Sequence, residues 1–531
     1  MKITPIESAK QINAVGNQKV TIRDVAEKAG VSPAAVSLTF SRRGRIAEET
    51  RRHILAVAAS LNYAPPKRRH GTVDLRELTI HSGTGASYHP NHVAAVNRQV
   101  ALLLDELEQR RQEGFDVTEL AAEIEELPER SPTLPELDSL WVRLDRLPMR
   151  DDYPYQEVST WEEIQQHRPS AISLDTGFSL PRLQDQIYGG WLGRAIGCTL
   201  GRPLEIGGTY EEIAAFLESG DAYPLDNYVP EILPHPSLYA RLNPKIHHYL
   251  RGNIVYAPRD DDLDYTVLNL LLLEKYGLDF TSEQLAKLWL QLLTYDSTYT
   301  AERIAYTNLV NLYGPPDTAV HRNPYREFIG SQIRADAFGY TAPGMPELAA
   351  ERAWRDARIS HVKNGIYGEM MVSAMIAAAF VVDDVETIVD VGLSVIPERS
   401  RMAVLVRDTV EQVRRSGDWT DVVSYVTEQC ADYDPVHVLP NACIVALALL
   451  WGRGDFEKSI TTAAMCGMDT DCNTATVGSI TGVMNGASNL PSKWTEPIND
   501  RLESWVRGHC DNRLSDLAQR TLTIARRSLQ S

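Results

Sequence analysis

The chain has 531 residues, of which 43% are hydrophobic and 23% are charged, and its net charge is −18. Because a single hydrophobic core rarely grows beyond roughly 300 residues, the chain is expected to form more than one domain. No apolar run approaches the ~20 residues that a membrane-spanning helix requires. The composition therefore favours a soluble globular protein and excludes an integral membrane protein.

Charge is divided unevenly along the sequence. Residues 1–70 hold 13 Lys and Arg against 5 Asp and Glu, whereas the remaining residues hold 40 against 66. A basic segment on an acidic body is typical of a nucleic-acid-binding arm, although an ordinary solvated basic tail would have the same charge. Residues 1–20 lack the apolar core of a secretory signal, and the six cysteines show no CxxC spacing. We therefore expect a cytoplasmic protein without a disulfide framework.

Residues 21–61 have the pattern of three short helices. Thr21 and Ser32 can cap the first two helices, and Gly30 suits the turn between them. A third helix is predicted over residues 48–61. Two helices joined by a tight glycine turn make a helix-turn-helix unit. The residues predicted to face its core are Val25, Ala26, Ala29, Ile54, Leu55, Ala58 and Leu61.

The segments "TIRDVAEKAGVSPAAVS" and "LNY" resemble the headpiece of lactose-repressor-type transcription factors. The resemblance implies that residues 20–66 bind double-stranded DNA, with the helix of residues 33–40 in the major groove. This helix has Ala34 where the family often has a large polar residue, so it offers apolar contacts to bases. The implied DNA contacts are Ser32, Ala34, Ser37, Arg42, Arg43, Arg51 and Arg52.

Between this segment and the rest of the chain, a linker is followed by a helical hairpin. Residues 65–88 are rich in Pro, Gly, His and Ser, as in a linker, and residues 90–127 have helical periodicity interrupted at Gly114. The apolar stripe of this hairpin could pair two subunits into a homodimer, or it could pack against the large domain of its own chain. Both interpretations remain open from the sequence. The stripe consists of Val93, Val96, Val100, Leu103 and Leu107, then Val117, Leu120, Ala121, Ile124 and Leu127.

From residue 183 onward the pattern is predominantly helical. Thr281 and Gln284 form a capping box, and residues 365–380 and 442–451 read as helices buried on most sides. Strand-like alternation is scarce. The predicted fold class is all-α: a three-helix headpiece in residues 1–66, a linker and hairpin in residues 67–180, and a large helical domain in residues 181–531.

Two acidic clusters begin apolar helices about 200 residues apart. Asp260, Asp261, Asp262 and Asp264 are followed by one such helix, and the second cluster, Asp469 and Asp471, lies among small and apolar residues. An acidic helix N-terminus is the ordinary explanation of the first cluster, because the helix dipole favours it. Buried unpaired carboxylates would cost several kcal/mol each. The two clusters together favour a site in which they surround hard divalent cations.

The segments "GGWLGRAIGCTLGRPLE", "RDDDLDYTV" and "GMDTDCNTATVGSITG" resemble motifs of the ADP-ribosylglycohydrolase family, in family order. The resemblance covers residues 183–530. It implies an all-helical fold, two magnesium ions (or manganese), and hydrolysis at the anomeric carbon of an ADP-ribosyl group. The implied metal ligands are Asp260, Asp261, Asp262, Asp469 and Asp471; the implied catalytic residues are Asp261, Asp262, Asp469 and Glu205. The implied substrate contacts are Glu205, Arg334, His361 and Asn473, with Asp336 beside them, although each of the last four could equally be a satisfied polar group at a helix end.

Three residues depart from the family motifs. Leu263 and Cys472 stand where the family has threonine, and Cys198 stands where it has aspartate. Asp260 and Asp264 could supply extra oxygen ligands, because a carboxylate can replace a hydroxyl at magnesium. Cys472 is a softer atom and is expected to pack rather than to bind metal. The altered motifs favour a smaller glycoside or nucleoside-like substrate over ADP-ribosylated protein.

The leading functional prediction is a DNA-binding protein whose body is a magnesium-dependent glycohydrolase. The alternative is a transcriptional regulator without turnover that senses a nucleoside or sugar in the metal site. A scaffold protein that has the fold but no functional site is least favoured, because the chain also has the five aspartates of the predicted metal site.

Overall fold

The computed structural model describes residues 22–31, 36, 39, 48–61, 90–174, 177–205, 208–233, 235 and 244–530. The chain divides into two compact units, residues 1–70 and residues 71–531. The predicted linker of residues 65–88 lies outside the described residues. The first helices are α1 (Ile22–Ala29), α2 (Glu48–Ser60), α3 (Pro90–Gln112), α4 (Thr118–Glu125), α5 (Leu134–Leu144) and α6 (Trp161–His167).

In the described residues after α6, the regular secondary structure is helical apart from one small sheet, as the sequence predicts. Strands β1 (Arg501–Glu503) and β2 (Asp511–Arg513) pair antiparallel, with Leu502 opposite Asn512. The all-α prediction is confirmed for the described residues. The helices are α7 (Leu180–Gly201), α8 (Tyr210–Glu218), α9 (Asp261–Tyr276), α10 (Ser282–Leu292), α11 (Thr300–Val310), α12 (Asp317–Val320), α13 (Asp336–Tyr340), α14 (Pro346–Ala357), α15 (Asn364–Ala379), α16 (Val385–Ser394), α17 (Arg401–Arg415), α18 (Trp419–Gln429), α19 (Val438–Gly452), α20 (Phe456–Met465), α21 (Thr470–Asn485), α22 (Ser492–Ile498) and α23 (Leu514–Ser528).

The small unit has its own hydrophobic core. Most of the predicted inward-facing residues are confirmed, since the core consists of Val25, Ala26, Ala29, Val36, Ile54 and Ala58. Leu55 is an exception, because its side chain is 43% exposed. Its neighbour Ile54 takes the inward position, and Ala58, one turn later, extends the same face of α2.

The helical hairpin packs against its own chain. Its apolar stripe, including Val96, Val100, Leu103 and Leu107, forms a core with α5 and with Ile304 of α11. Arg326 also links the hairpin to the large domain. Its guanidinium donates hydrogen bonds of about 3 Å or less to the buried carboxylates of Glu106 and Glu113. The structure therefore supports the second interpretation of this stripe, in which it packs within its own chain. A homodimer through another surface remains a prediction.

Helices α7 and α21 pack in closest contact. Gly189, Gly193, Gly197 and Gly201 recur every four residues along α7, and a Cβ on any of them would overlap backbone atoms of α21 or of the residues just after it. The two helices run antiparallel, because Gly201 at the end of α7 meets Thr470 at the start of α21. Residues that follow α7 are thereby brought beside residues that begin α21.

The central helices are buried on nearly all sides, as predicted. Every residue of α15 is buried, and α19 is buried from Val438 to Leu449. The capping box of Thr281 and Gln284 is confirmed at the start of α10. Within the described residues, we find no helix with the length and hydropathy of a membrane span.

Candidate metal centre

Two helix N-termini carry the acidic clusters. Asp260 is the N-cap of α9, and its carboxylate accepts a hydrogen bond from the backbone N–H of Asp262 at 3.4 Å. Asp469 is the N-cap of α21. The partial positive charge of a helix N-terminus favours carboxylates at both places.

The chain turns sharply just before Asp469. Gly467 and Met468 both have left-handed backbone conformation, with φ of 81° and 62°. A non-glycine residue in this conformation is strained and is held there by its surroundings. Asn441 supplies one such restraint, because its Oδ1 accepts a hydrogen bond from the N–H of Asp469 at 3.1 Å. The turn directs Asp469 and Asp471 toward the start of α9.

Side chains from both clusters form two groups of potential metal ligands. In one group, ligand atoms of Cys198, Asp260 and Asp262 all lie within 4.8 Å of one another; in the other, those of Asp469, Asp471 and Cys472 do so. The Sγ of Cys472 donates to Asp262 Oδ2 at 3.3 Å and so joins the groups. The convergence of the two distant segments, expected from the sequence, is present in the structure.

Arg202 contributes a cation that was not predicted from the sequence. Its Nη1 lies 2.7 Å from Asp471 Oδ2 and 2.5 Å from Glu205 Oε2, and its Nε lies 3.5 Å from Asp260 Oδ2. The packing of α7 against α21 places it there, since it follows Gly201 directly. Its guanidinium thus links the loop glutamate to both acidic clusters.

Arg194 is a second missed cation. It is completely buried, and its Nη2 lies 2.6 Å from Asp262 Oδ1 while its Nη1 lies 3.4 Å from Asp336 Oδ2. The available signal was an arginine inside the small and apolar helix α7, because a buried cation requires a carboxylate partner. The partner could not be chosen from sequence alone.

Asp264 and Asp261 differ from the other aspartates of their cluster. The carboxylate of Asp264 accepts from Arg259 Nε at 2.8 Å and from the backbone N–H of Trp505 at 2.7 Å. The idea that Asp264 supplies an extra metal ligand is therefore wrong, because its oxygens hold other parts of the fold. Asp261 is only half-buried and hydrogen-bonds to the carboxyl group of Asp260.

The centre carries more negative charge than its arginines neutralise. Burial, reinforced by neighbouring carboxylates, raises the pKa of Asp261 and of Asp469 well above the ordinary value. Burial also raises the pKa of Asp262 to about 8, against the opposing effect of Arg194. A divalent cation would favour the ionised form of all three groups.

The donor atoms fit a divalent cation. Asp471 Oδ1 is buried and has no hydrogen-bond partner among the described residues. An orphaned buried carboxylate oxygen is costly unless a cation satisfies it. The carboxylate oxygens suit a hard ion such as magnesium, whereas the sulfurs of Cys198 and Cys472 depart from an all-oxygen set.

Most of the large unit matches a known protein family. Residues 179–528 match the family model described as ADP-ribosylglycohydrolase. The chain belongs to the ADP-ribosylglycohydrolase family. A solved structure described as "ADP-ribosylglycohydrolase-related protein complex" is similar over 66% of this chain and 99% of that chain, at 18% identity and a TM-score of 0.40.

This ADP-ribosylglycohydrolase family member also carries a regulator-type headpiece. Residues 21–66 match the model of bacterial regulatory proteins of the lacI family. The sucrose operon repressor of Klebsiella pneumoniae is 44% identical over 66 residues, which are 12% of this chain and 20% of that protein. The probable HTH-type transcriptional repressor ExuR of Bacillus subtilis (strain 168) is 32% identical over 89 residues, 15% of this chain and 27% of that protein. The chain thus spans about a fifth to a quarter of these relatives.

Two predicted substrate contacts lie in the interior of this family member. Arg334 is completely buried and donates to Asp356 at 2.7 Å and to Glu302 at 2.8 Å. His361 is equally buried, and its Nδ1 lies 2.8 Å from the hydroxyl of Ser360. The prediction is corrected for both residues, because their side chains are fully buried and do not face a substrate surface.

The other two polar residues, Asn473 and Asp336, contact residues that bond to aspartates of the candidate metal centre. Asn473 is buried, and its Nδ2 donates at 2.7 Å to Asn441, the residue that restrains Asp469. Asp336 is buried beside Arg194 and accepts from the hydroxyl of Tyr340. Both residues therefore have protein partners, so the prediction of substrate contact is replaced by one of positioning.

Among the predicted DNA contacts, Arg51 and Arg52 are described and the others lie in segments that are not. Arg51 lies on α2, and its Nη1 donates to the carbonyl oxygen of Thr39 at 3.3 Å. This bond links α2 to Thr39. The contacts outside the described residues are Ser32, Ala34, Ser37, Arg42 and Arg43; Arg52 is described on α2 and is exposed.

Proposed function

We propose that this protein binds double-stranded DNA through its headpiece and that its large domain is a divalent-cation-dependent glycohydrolase. The substrate class is an ADP-ribosyl or related ribosyl, nucleoside-like compound, cleaved at its anomeric carbon. The single observation that supports this most strongly is the contact of Cys472 with Asp262, which joins two acidic segments about 200 residues apart. Because the proposed headpiece binds double-stranded DNA, we also propose that the protein works in the cytoplasm.

The carboxylates of Asp260, Asp262, Asp469 and Asp471 would hold the ions, with Asp261 at the solvent side. Magnesium or manganese, when bound, would lower the pKa of a coordinated water and fix ribose hydroxyls. The negative potential of the carboxylates stabilises the positive charge that develops on the sugar ring as the leaving group departs. Burial of these groups strengthens that effect, because the local dielectric is low.

Glu205 is assigned as the base that takes the proton of the attacking water. Its side chain is 40% exposed, so it is the acidic side chain of the centre that is most open to an incoming molecule. In the structure it is paired with Arg202, and this pair has to separate before Glu205 can accept a proton. Should Glu205 not serve, the half-buried Asp261 is the next candidate.

A regulator without turnover is the second candidate, and Arg202 is the observation that favours it. A guanidinium bonded to Asp471, Glu205 and Asp260 already neutralises part of the charge that metal ions would otherwise neutralise. A centre of this kind could bind a nucleoside or sugar and change the DNA affinity of the headpiece. Cys472 and Cys198, which replace a threonine and an aspartate of the family motifs, also favour a chemistry that differs from that of the family.

The deciding experiment measures turnover and DNA binding with the same preparation. Full-length protein, stripped of metal and resupplied with MgCl₂ or MnCl₂, is incubated with ADP-ribosylated peptides and with ribosyl glycosides, and the released sugar is quantified. The proposal expects release with at least one substrate and its loss in Asp469→Asn. The matched control is Asp226→Asn, which changes an exposed aspartate of another segment. Absence of turnover together with ligand-dependent DNA binding would instead establish the regulator.

A further inference from the structure

We propose that Cys472 is a metal ligand and that its sulfur makes this centre select a borderline-soft divalent cation of the zinc class over magnesium. The inference rests on the divalent-cation site proposed above and specifies which ion it takes. It reverses the expectation that Cys472 merely packs.

Cys472 lies where the two acidic segments meet. It is in the first turn of α21 and is buried. Its sulfur belongs to the group formed with Asp469 and Asp471, all of whose ligand atoms lie within 4.8 Å of one another. The same sulfur contacts Asp262 on α9. One thiol therefore touches carboxylates of both clusters.

The separation of the sulfur from its acceptor suits two ligands of one ion. Cys472 Sγ and Asp262 Oδ2 are 3.3 Å apart. Ion-to-ligand distances of about 2.3 Å for sulfur and about 2.0 Å for oxygen, at a tetrahedral angle, separate the two ligand atoms by roughly 3.5 Å. An ion bonded to both atoms would thus need no large movement of either side chain.

Asp262 and Asp471 each have one carboxylate oxygen bonded to an arginine, and the other oxygen is available to a cation. Arg194 holds Asp262 by Oδ1, which leaves Oδ2 facing Cys472. Arg202 holds Asp471 by Oδ2, and Asp471 Oδ1 is buried without a hydrogen-bond partner among the described side chains. The arginines fix one oxygen of each aspartate and leave the other for a cation.

The identity of the donor then decides which cation is preferred. Magnesium takes oxygen ligands and binds thiolates poorly, whereas zinc and cobalt accept sulfur together with carboxylate oxygen. When such an ion binds, the thiol releases its proton to solvent and the thiolate becomes the ligand. Cys198, with Asp260 and Asp262, places a second buried sulfur nearby, but the contact of Cys472 with Asp262 makes Cys472 the first choice.

The test uses cobalt as a spectroscopic probe of the full-length, metal-free protein. Co²⁺ bound by a thiolate gives a sulfur-to-metal charge-transfer band in the near ultraviolet, and this band does not depend on catalysis. We expect the band in the unmodified protein and in Cys466→Ser, a buried cysteine outside both ligand groups, but not in Cys472→Ser. Cys472→Thr, which supplies a hydroxyl as in the family motif, should bind Mg²⁺ at least about 10-fold more tightly and Zn²⁺ at least about 10-fold more weakly.

Each outcome decides a different question. Co²⁺ binding without the band would overturn this inference while leaving the divalent-cation proposal intact. Failure of Co²⁺, Zn²⁺, Mg²⁺ and Mn²⁺ to bind at all would overturn both. A band that persists in Cys472→Ser would assign the sulfur to another cysteine and would likewise overturn the proposal. If Cys472→Ser does not fold, as thermal unfolding would reveal, the gain of Mg²⁺ affinity in Cys472→Thr decides the question.

Discussion

Gly193 of α7 and Gly478 of α21 meet backbone to backbone, so that a Cβ on either residue would overlap the carbonyl oxygen of the other. This contact sets the depth to which the two helices pack. Together with the meeting of Gly201 and Thr470, it brings Arg202 to the start of α21. The position of the candidate metal centre therefore depends on glycines that contribute no side chain to it.

Replacing Gly193 with Ala should destabilise the protein by about 3 kcal/mol, because the new methyl group meets rigid backbone and the helices have to separate. Chemical unfolding measures this loss. Gly417→Ala is the matched control, because a Cβ at Gly417 would have nothing within 4 Å. We expect that control to change stability by less than about 0.5 kcal/mol. Equal effects of the two substitutions would show that the close packing of the helices does not limit stability.

Arg194→Met should destabilise the protein by about 3–5 kcal/mol, because it leaves Asp262 and Asp336 buried without their cation. Adding Asp262→Asn to this variant should recover part of the loss, since one uncompensated carboxylate is then removed. Urea unfolding of both single variants and the double variant measures the coupling between the two side chains. Strictly additive losses would mean that the pair does not interact as its 2.6 Å separation indicates.

Arg202→Ala should increase the affinity for divalent cations about tenfold, because it removes a positive charge that already neutralises Asp471 and Asp260. Isothermal titration calorimetry with Mn²⁺ measures the change. Arg355→Ala, which removes the partner of Glu351 on α14, serves as the control and should have no effect. Lower affinity in Arg202→Ala would instead assign to Arg202 the role of organising the ligands.

Glu157 should make stability depend on acid pH. Burial raises the pKa of Glu157, but the ion pair with Arg401 at 2.8 Å and the hydrogen bonds from Arg401 and Asn364 together lower it by more, and the resulting pKa is about 2. Because this value lies below the ordinary 4.5, the ionised pair contributes stability fully above pH 4.5 and loses it as the pH falls toward 2. The gap in unfolding free energy between the unmodified protein and Glu157→Gln should be constant from pH 7 to pH 5.5 and narrower at pH 4. If the difference in unfolding free energy instead widens on acidification, the pKa of Glu157 is not lowered by folding.

Much of the fold could be predicted because local chemistry dictates it. The capping box at Thr281 and the uninterrupted apolar runs of α15 and α19 define their helices without reference to the rest of the chain. The acidic pair of Asp469 and Asp471 stood out because charge is rare in such surroundings. Periodicity alone could not tell whether the hairpin stripe faced a second subunit or its own chain, since both partners are apolar.

The site was less predictable, because tertiary contacts decide which polar side chains line it and which are buried in the core. Arg334 and His361 were expected beside the substrate, but the sequence does not distinguish a pocket-lining arginine from one buried against Asp356. Arg202 could not be predicted as part of the site, because its contacts with Asp471 and Asp260 depend on how α7 packs against α21. Cys472 was assigned to packing, since its contact with Asp262 depends on how α9 and α21 meet.

The most direct test of the account is the position of Mn²⁺ in a crystal of the full-length protein, read from its anomalous scattering. The account predicts an ion bound by Asp471 Oδ1 together with carboxylate oxygens of Asp262 or Asp469, at ligand distances of about 2.0–2.4 Å. No anomalous peak in this centre at saturating Mn²⁺, with Arg202 still bonded to Asp471, would contradict it.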